Sequence, residues 1–560
     1  GSMNPETRDC KNCKQSFLIE PEDFTYYERM QVPAPTWCPE CRLQRRLAWI
    51  NIFQLYKRAC DLCKKDSISI FPPGADYVVY CPACWWGDGW DAFAYGRDYD
   101  FSRPFFEQFD EQLHRVPHIG LAQGLETIKT SPYNNQTGHL KNCYLLFFAD
   151  PAEDCSYGFY LSNVKNMLDT SLSIACELMY DSRNTFRDNK CIGVENTIES
   201  IDCAFLRNCR NCQNCYASAN LTNKKYYIFN EPYSREDYFK KIKEWDLGSY
   251  RGYQELKRLA HEHWSKYPPK PIWLDLSVDS TGNYTFESKN CKECYEVQSA
   301  QDSKYLNMMI LGPVRDCYDV VGWGNDLELS YECAGIGEHA SRLRFCSDGG
   351  INCYDAEYCK LVTGGGHYFG CVSVKKGQYV IFNKKYSKED YEALKAKIIA
   401  QMKETGEYGE FFPIRLSPHA YNETIAQSFF PLTKEEAEAK GYRWQEQEQQ
   451  EYKITLRASE LPDHISDTTD LALKNVIECE KCQRGYRITT MELQFLRQMR
   501  LPLPRRCPFC RIDEKFQAWI RQMQLTDRTC ATCKKSFRTP YTADEYPSML
   551  CKECWTEAYS

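Results

Sequence analysis

The chain has 560 residues, is 43% hydrophobic and 14% aromatic, and carries a formal net charge of −7. That length holds roughly three to five domains; 39 tyrosines and 28 phenylalanines exclude global disorder, and the acidic balance excludes a general polyanion binder. No apolar run approaches the ~18–20 residues of a membrane span.

Gly1 and Ser2 before Met3 read as an expression scar, and no basic-then-apolar signal comes after them. The expected compartment is the cytoplasm, where thiols stay reduced and the 32 cysteines favour metal over disulfides. The first block, 3–98, carries Cys10, Cys13, Cys38 and Cys41, then Cys60, Cys63, Cys81 and Cys84. Each C-x-x-C turns two thiolates toward one ion. Four thiolates satisfy tetrahedral Zn²⁺ and leave no open position, so two structural zinc sites are expected. The metal supplies folding energy to modules too small for a core; rubredoxin-like iron is the chemical alternative. Segment 42–58 holds Arg42, Arg45, Arg46, Lys57 and Arg58 without an acid. These are candidate nucleic-acid contacts through phosphate pairing, with Trp49, Tyr56, Trp85, Trp86, Trp90, Trp519 and Trp555 available for base stacking. The plainer reading is a solvated or ion-paired helix face and packed tryptophans. The stretch Trp37-Cys38-Pro39-Glu40-Cys41-Arg42 runs into Leu43, Leu47 and Ile50 at helical spacing. With Cys10-x-x-Cys13, Phe17, Tyr27 and Pro35, it resembles the treble-clef "probable zinc-ribbon" family.

Segment 99–140 is an aromatic connector, and Tyr99, Phe101, Phe105, Phe106 and Phe109 are expected to dock the zinc unit on the solenoid. From 141 to 245, Cys143, Met167, Cys191 and Cys215 recur every 24 residues; Cys155, Met179, Cys203 and Tyr227 do the same, offset by 12. Asn142, Asp154, Asn166, Asp202 and Asn214 precede several of these positions. A fixed 24-residue period predicts stacked coils of a right-handed parallel β-helix, with cysteines as small apolar residues facing inward. Cys209, Cys212 and Cys215 form a candidate additional metal site. Some β-helix proteins are polysaccharide lyases or hydrolases, and Asp181, Arg183, Arg187 and Asp188 are the residues a catalytic reading would use.

Segment 246–280, with a helix and Pro268-Pro269-Lys270-Pro271, reads as a stiff spacer. The block 281–402 is a looser copy of the first: Tyr227-Ile228-Phe229-Asn230 matches Val380-Ile381-Phe382-Asn383 at an offset of 153. Ser234/Asp237 and Ser387/Asp390 then start capped helices that would cover each solenoid's open edge. Cys291-x-x-Cys294 and the group Cys346, Cys353, Cys359 are weaker metal patterns. Segment 403–475 reads as a linker with a polar run from Gln445 to Glu451. The last block, 476–560, repeats the first. Cys479, Cys482, Cys507 and Cys510 lie 469 residues after Cys10, Cys13, Cys38 and Cys41, and Cys530, Cys533, Cys551 and Cys554 lie 470 after Cys60, Cys63, Cys81 and Cys84. It too has an acid-free basic run, with Arg505, Arg506 and Arg511 as candidate nucleic-acid contacts.

Along nearly its full length the chain resembles large multi-zinc-ribbon proteins encoded by small-genome uncultivated bacteria. The carrying residues are the first zinc unit, Tyr80-Cys81-x-x-Cys84-Trp85-Trp86, the run Tyr95 to Phe106, Tyr227 to Asn230 and Leu501-Pro502-Leu503-Pro504. The resemblance implies an ordered multi-zinc architecture and no activity. The expectation is a cytoplasmic zinc-binding scaffold in which the β-helix spaces two duplicated modules that bind a protein or nucleic acid. The alternatives are a β-helix carbohydrate-active enzyme and a metal or redox protein using the central thiols. No membrane partner is expected, and homo-oligomerisation stays open.

Overall fold

The computed structural model describes residues 4–447 and 453–560. The polar run 445–451 falls mostly outside the described residues, and Gly1 and Ser2 fall wholly outside them. The chain divides into two compact units, each assembled from segments far apart in sequence. One joins Gly1–Leu125 to Trp273–Glu446; the other joins Glu126–Ile272 to Gln447–Ser560. The N-terminal pair of cysteine modules therefore packs with the second solenoid half, and the C-terminal pair with the first.

The architecture is mainly β, with four clusters of four cysteines each at the chain ends flanking a β-solenoid. In the first half each parallel pairing advances by twelve residues: Ala152 faces Val164, Lys165 faces Glu177, and Glu195 faces Arg207. The 24-residue period is thus two coils. The two expected series are one column, in which Cys155, Met167, Met179 and Cys191 succeed one another on neighbouring strands. The second half keeps twelve-residue steps at its ends, Gly282 to Cys294 and Gly365 to Gly377. Its middle widens to fourteen and thirteen, Leu306 to Val320 to Cys333.

Within a coil the side chains repeat every three residues. Cys203, Leu206, Cys209, Cys212 and Cys215 are all interior. The residues just before them, Asp202, Phe205, Asn208, Asn211 and Asn214, have φ of 56, 55, 57, 50 and 52°. Each triplet is a left-handed corner, an inward residue and an outward one, so a twelve-residue coil has four corners and four inward side chains. Asn and Asp tolerate that backbone best, while β-branched residues do so worst. Among the described residues with positive φ there is no Val, Ile or Thr.

So tight a coil favours slender inward side chains at many positions, and its corners turn carbonyls toward the interior. Cysteine answers both demands. All sixteen central cysteines are buried and unbridged. Fifteen of them point a thiol at the carbonyl two residues back, as Cys155 does to Glu153 at 3.2 Å and Cys359 to Glu357 at 3.2 Å. Inward serines do the same, as Ser182 to Tyr180 and Ser218 to Tyr216, both at 2.9 Å. Burial pushes Cys176 and Cys317 up to about 12, so these two thiols keep the proton their contact needs.

The matching ends of the two halves are caps. Asn383 accepts from the Val372 N–H and donates to its carbonyl, both at 2.9 Å. Asn230 does the same to Ala219, at 2.9 and 2.7 Å. One side-chain amide thus stands in for the next strand. The helices Arg235–Ile242 and Lys388–Thr405 come next, N-capped by Ser234 and Ser387, and bury Tyr238 and Tyr391. The expected spacer is no spacer either: its helix Tyr250–Trp264 buries Tyr253, Leu256, Ala260 and Trp264, with the Trp264 indole donating to the Phe205 carbonyl at 3.0 Å. In the other unit Phe105 begins the helix Phe105–Arg115 and packs on Phe382, Tyr358 and Phe369 of the second half.

Candidate metal centres

All four cysteine sets share one local design. The first pair sits in the turn of a two-stranded hairpin, such as Glu6–Asp9 with Ser16–Ile19 or Thr526–Thr529 with Ser536–Thr539. The third cysteine, Cys38, Cys81, Cys507 or Cys551, is the N-cap of a helix. The residue after each first pair, Lys14, Lys64, Gln483 or Lys534, is left-handed. Each of these side chains donates back to the carbonyl three residues earlier, at 2.9, 2.7, 3.2 and 3.0 Å. That bond closes the knuckle, and it is made four times over.

In each set the four sulfurs lie within 4.8 Å of one another. Cys13 and Cys38 are 3.7 Å apart, Cys63 and Cys81 4.0 Å, Cys482 and Cys507 3.8 Å, and Cys533 and Cys551 3.8 Å. A tetrahedron with metal–sulfur bonds of about 2.3 Å has edges of about 3.8 Å, whereas a disulfide would need about 2.05 Å. The four sets could each hold one thiophilic cation. Burial raises the pKa of Cys10, but N–H groups of Cys13, Cys38 and Asn12 outweigh it and hold that thiol at about 7. Cys479 is likewise held at about 7, against burial, by the N–H groups of Cys482, Cys507 and Lys481.

The basic residues beside the second knuckle turn inward, onto the solenoid. In one unit Arg42 lies 3.3 Å from Asp319, Arg46 3.4 Å from Asp319 and 3.0 Å from Glu332, and Arg45 2.9 Å from Glu332 and 2.7 Å from Glu410. In the other, Arg511 lies 2.5 Å from Asp169 and 3.2 Å from Glu492, and Lys515 lies 2.9 Å from Asp181. Arg511 and Lys515 are Arg42 and Arg46 moved by the 469-residue offset of the modules. Their carboxylate partners, Asp169 and Asp181 or Asp319 and Glu332, sit one coil apart on left-handed corners. Each guanidinium also lies over a tyrosine, Arg42 over Tyr305 at 5.2 Å and Arg511 over Tyr157 at 5.0 Å. The second modules repeat a contact as well. Trp85 and Ser373 donate to the Pro117 carbonyl at 3.3 and 2.7 Å, and Trp555 and Asn220 to that of Pro268 at 2.9 and 2.8 Å.

This corrects the expected nucleic-acid contacts. Arg42, Arg45, Arg46, Arg58, Arg505 and Arg511 are at most 9% exposed, and a guanidinium with no surface cannot meet a phosphate. Arg58 donates to the carbonyls of Pro72 and Tyr77, and Arg505 to those of Leu503 and Pro462. Arg506 is half-buried against Glu514, leaving Lys57 as the exposed member of the set. Trp49, Trp85, Trp519 and Trp555 are buried too.

Cys209, Cys212 and Cys215 occupy three successive inward positions of one coil, each thiol engaged with the carbonyl two residues back. They do not form a metal-sized cluster among the described residues, so the expected extra site is corrected to core. The residues of the catalytic reading are also dispersed. Asp181 is held by Lys257, Lys515 and Tyr253 at 2.8, 2.9 and 2.7 Å. Asp188 is buried, accepting from the Ser200 N–H at 2.8 Å and from Thr197. Arg183 pairs with Glu195 at 3.1 Å. The signal for Asp188 was its phase: it falls on the inward position of its triplet. Among the described residues no helix is long and apolar enough to cross a membrane.

No family model and no curated protein matches the chain. Among solved structures, a crystal structure from Desulfovibrio desulfuricans G20 described as a "putative acetyltransferase" aligns with 9% identity over 50% of this chain and 80% of its own, at a TM-score of 0.10. That score carries no argument about fold or function.

Proposed function

We propose that the protein is a zinc-clamped scaffold whose metal modules act on the protein itself. The observation that carries the reading is the duplicated lock, in which the helix opened by a metal knuckle delivers Arg42 with Arg46, or Arg511 with Lys515, to two carboxylates one coil apart on a solenoid half. Zinc suits four thiolates in a closed tetrahedron and brings no redox chemistry. Bound there, it fixes the knuckle and so the direction of the helix that carries the arginine. A partner, protein or other, then meets the outward faces of the solenoid rather than the basic helices, and the nucleic-acid reading loses its main support. The test is elemental analysis with thermal unfolding before and after chelation. Four zinc per chain and a large loss of melting temperature on chelation are expected. Retention of the full melting temperature by metal-free protein would remove the clamp.

A further inference from the structure

One side of the first solenoid half, different from the side its cysteine modules cover, holds a groove of about 560 Å³. That size is within the range of small-molecule sites. Its wall is a single register column: Lys141 faces Glu153, Glu153 faces Lys165, Lys165 faces Glu177, and Glu177 faces Asn189. Opposite them Pro151, Asn163 and Ala175 are short and leave the space open, with His139 and Arg187 on the outermost coils. Successive rungs rise by about 4.8 Å, so the five span about 19 Å. Within the column, Lys141 and Glu153 close to 3.5 Å; among the described residues no ion pair engages Lys165 or Glu177.

We infer that this groove binds a linear, uncharged glycan. The wall alternates donor and acceptor once per coil, which suits a chain whose every residue offers hydroxyls that both donate and accept. One coil step is close to the length of one pyranose unit in an extended chain. An extended peptide presents same-side groups every two residues, about 6.6 Å apart, and falls out of register. A nucleic acid would set phosphates against Glu153 and Glu177. No exposed aromatic or aliphatic stripe lines the groove to favour an apolar guest. The inference does not depend on the metal clamp, because the groove and the lock use different columns of the coil.

The test is calorimetric titration of the full-length, metal-replete protein with neutral cello-, xylo- and manno-hexasaccharides. Polygalacturonate, poly-glutamate and single-stranded RNA serve as competing classes. Saturable binding of at least one neutral hexasaccharide is expected, weakened tenfold or more by Lys165→Ala with Glu177→Ala at an unchanged melting temperature. A second variant, Ala175→Trp, fills the groove and abolishes binding. Absence of binding by all three hexasaccharides would overturn the inference. So would equal binding by the variants, or preference for polygalacturonate, poly-glutamate or RNA.

Discussion

A carboxylic acid enclosed in a solenoid core has to be neutral or be held by donors, and Asp188 is partly both. Burial pushes it up to about 7, against the pull of Thr197 and the Ser200 N–H. A carboxyl group raised in the folded state favours folding at low pH, and that advantage is lost as pH rises from the unfolded value near 4 toward 7. Asp188→Asn keeps an acceptor for the Ser200 N–H, and its amide N–H can donate to the Thr197 hydroxyl, which now donates to Asp188. It should raise stability at pH 8 by roughly 2 kcal/mol or more and change little near pH 4; melting temperatures across that range check the sign. His118 and His419 run the other way. Both are buried, and burial with nearby Lys360 drives each well below the usual imidazole range. Their contribution is present above about 6.5 and fades as pH falls. Arg511 is the residue on which one lock turns. Arg511→Ala leaves Asp169 and Glu492 enclosed without a counter-charge, and burial already lifts Glu492 to about 7 despite Arg511. The expected loss is roughly 3–5 kcal/mol. Arg511→Ala with Asp169→Asn should recover part of it in denaturant titrations.

At the scale of the element, the triplet corner makes a distinctive demand. Asn166 is left-handed with φ 53°. Asn166→Gly should be nearly neutral, while Asn166→Val should cost about 1–2 kcal/mol. A strand position with ordinary φ would reverse that order, so the pair of melting curves is diagnostic. The terminal amide is a second such element: Asn383→Ala strands the Val372 N–H and carbonyl, at roughly 2–4 kcal/mol. Much of this was legible in the chain. The knuckles were plain because their chemistry dictates C-x-x-C spacing, and the capped helices because Ser234 and Ser387 match at one offset. The coil length was hidden because Met167, Met179 and Tyr227 interrupt the cysteine column, so the recurrence looked twice as long. The triplet was hidden because Leu145, Tyr157 and Phe205 also occupy corners, and nothing in those residue types announces positive φ. The inward cysteines were legible as small core residues; what the residue type did not announce is that fifteen of the sixteen also donate to carbonyls the corners turn inward.

At the scale of the whole chain, the finding that no local pattern could reveal is the pairing. Arg42 meets Asp319, and Arg511 meets Asp169, across hundreds of residues. The duplicated order of modules, solenoid, solenoid, modules therefore closes with each module pair on the solenoid half remote from it in sequence. Such long-range closure is entropically costly; a buried ion pair adds little net stability, but leaving one of its charges unpaired is strongly destabilising, which penalises a wrong pairing. On the proposed function, metal bound at the modules would matter for the solenoid as well as for the modules. The most direct test is hydrogen exchange on the full-length protein with one module disabled. In Cys479→Ser, faster exchange is expected in the corners and strands around 157–210, with 305–360 unchanged; Cys10→Ser should show the reverse. Faster exchange confined to the mutated module, or spreading to the other solenoid half, would contradict the account.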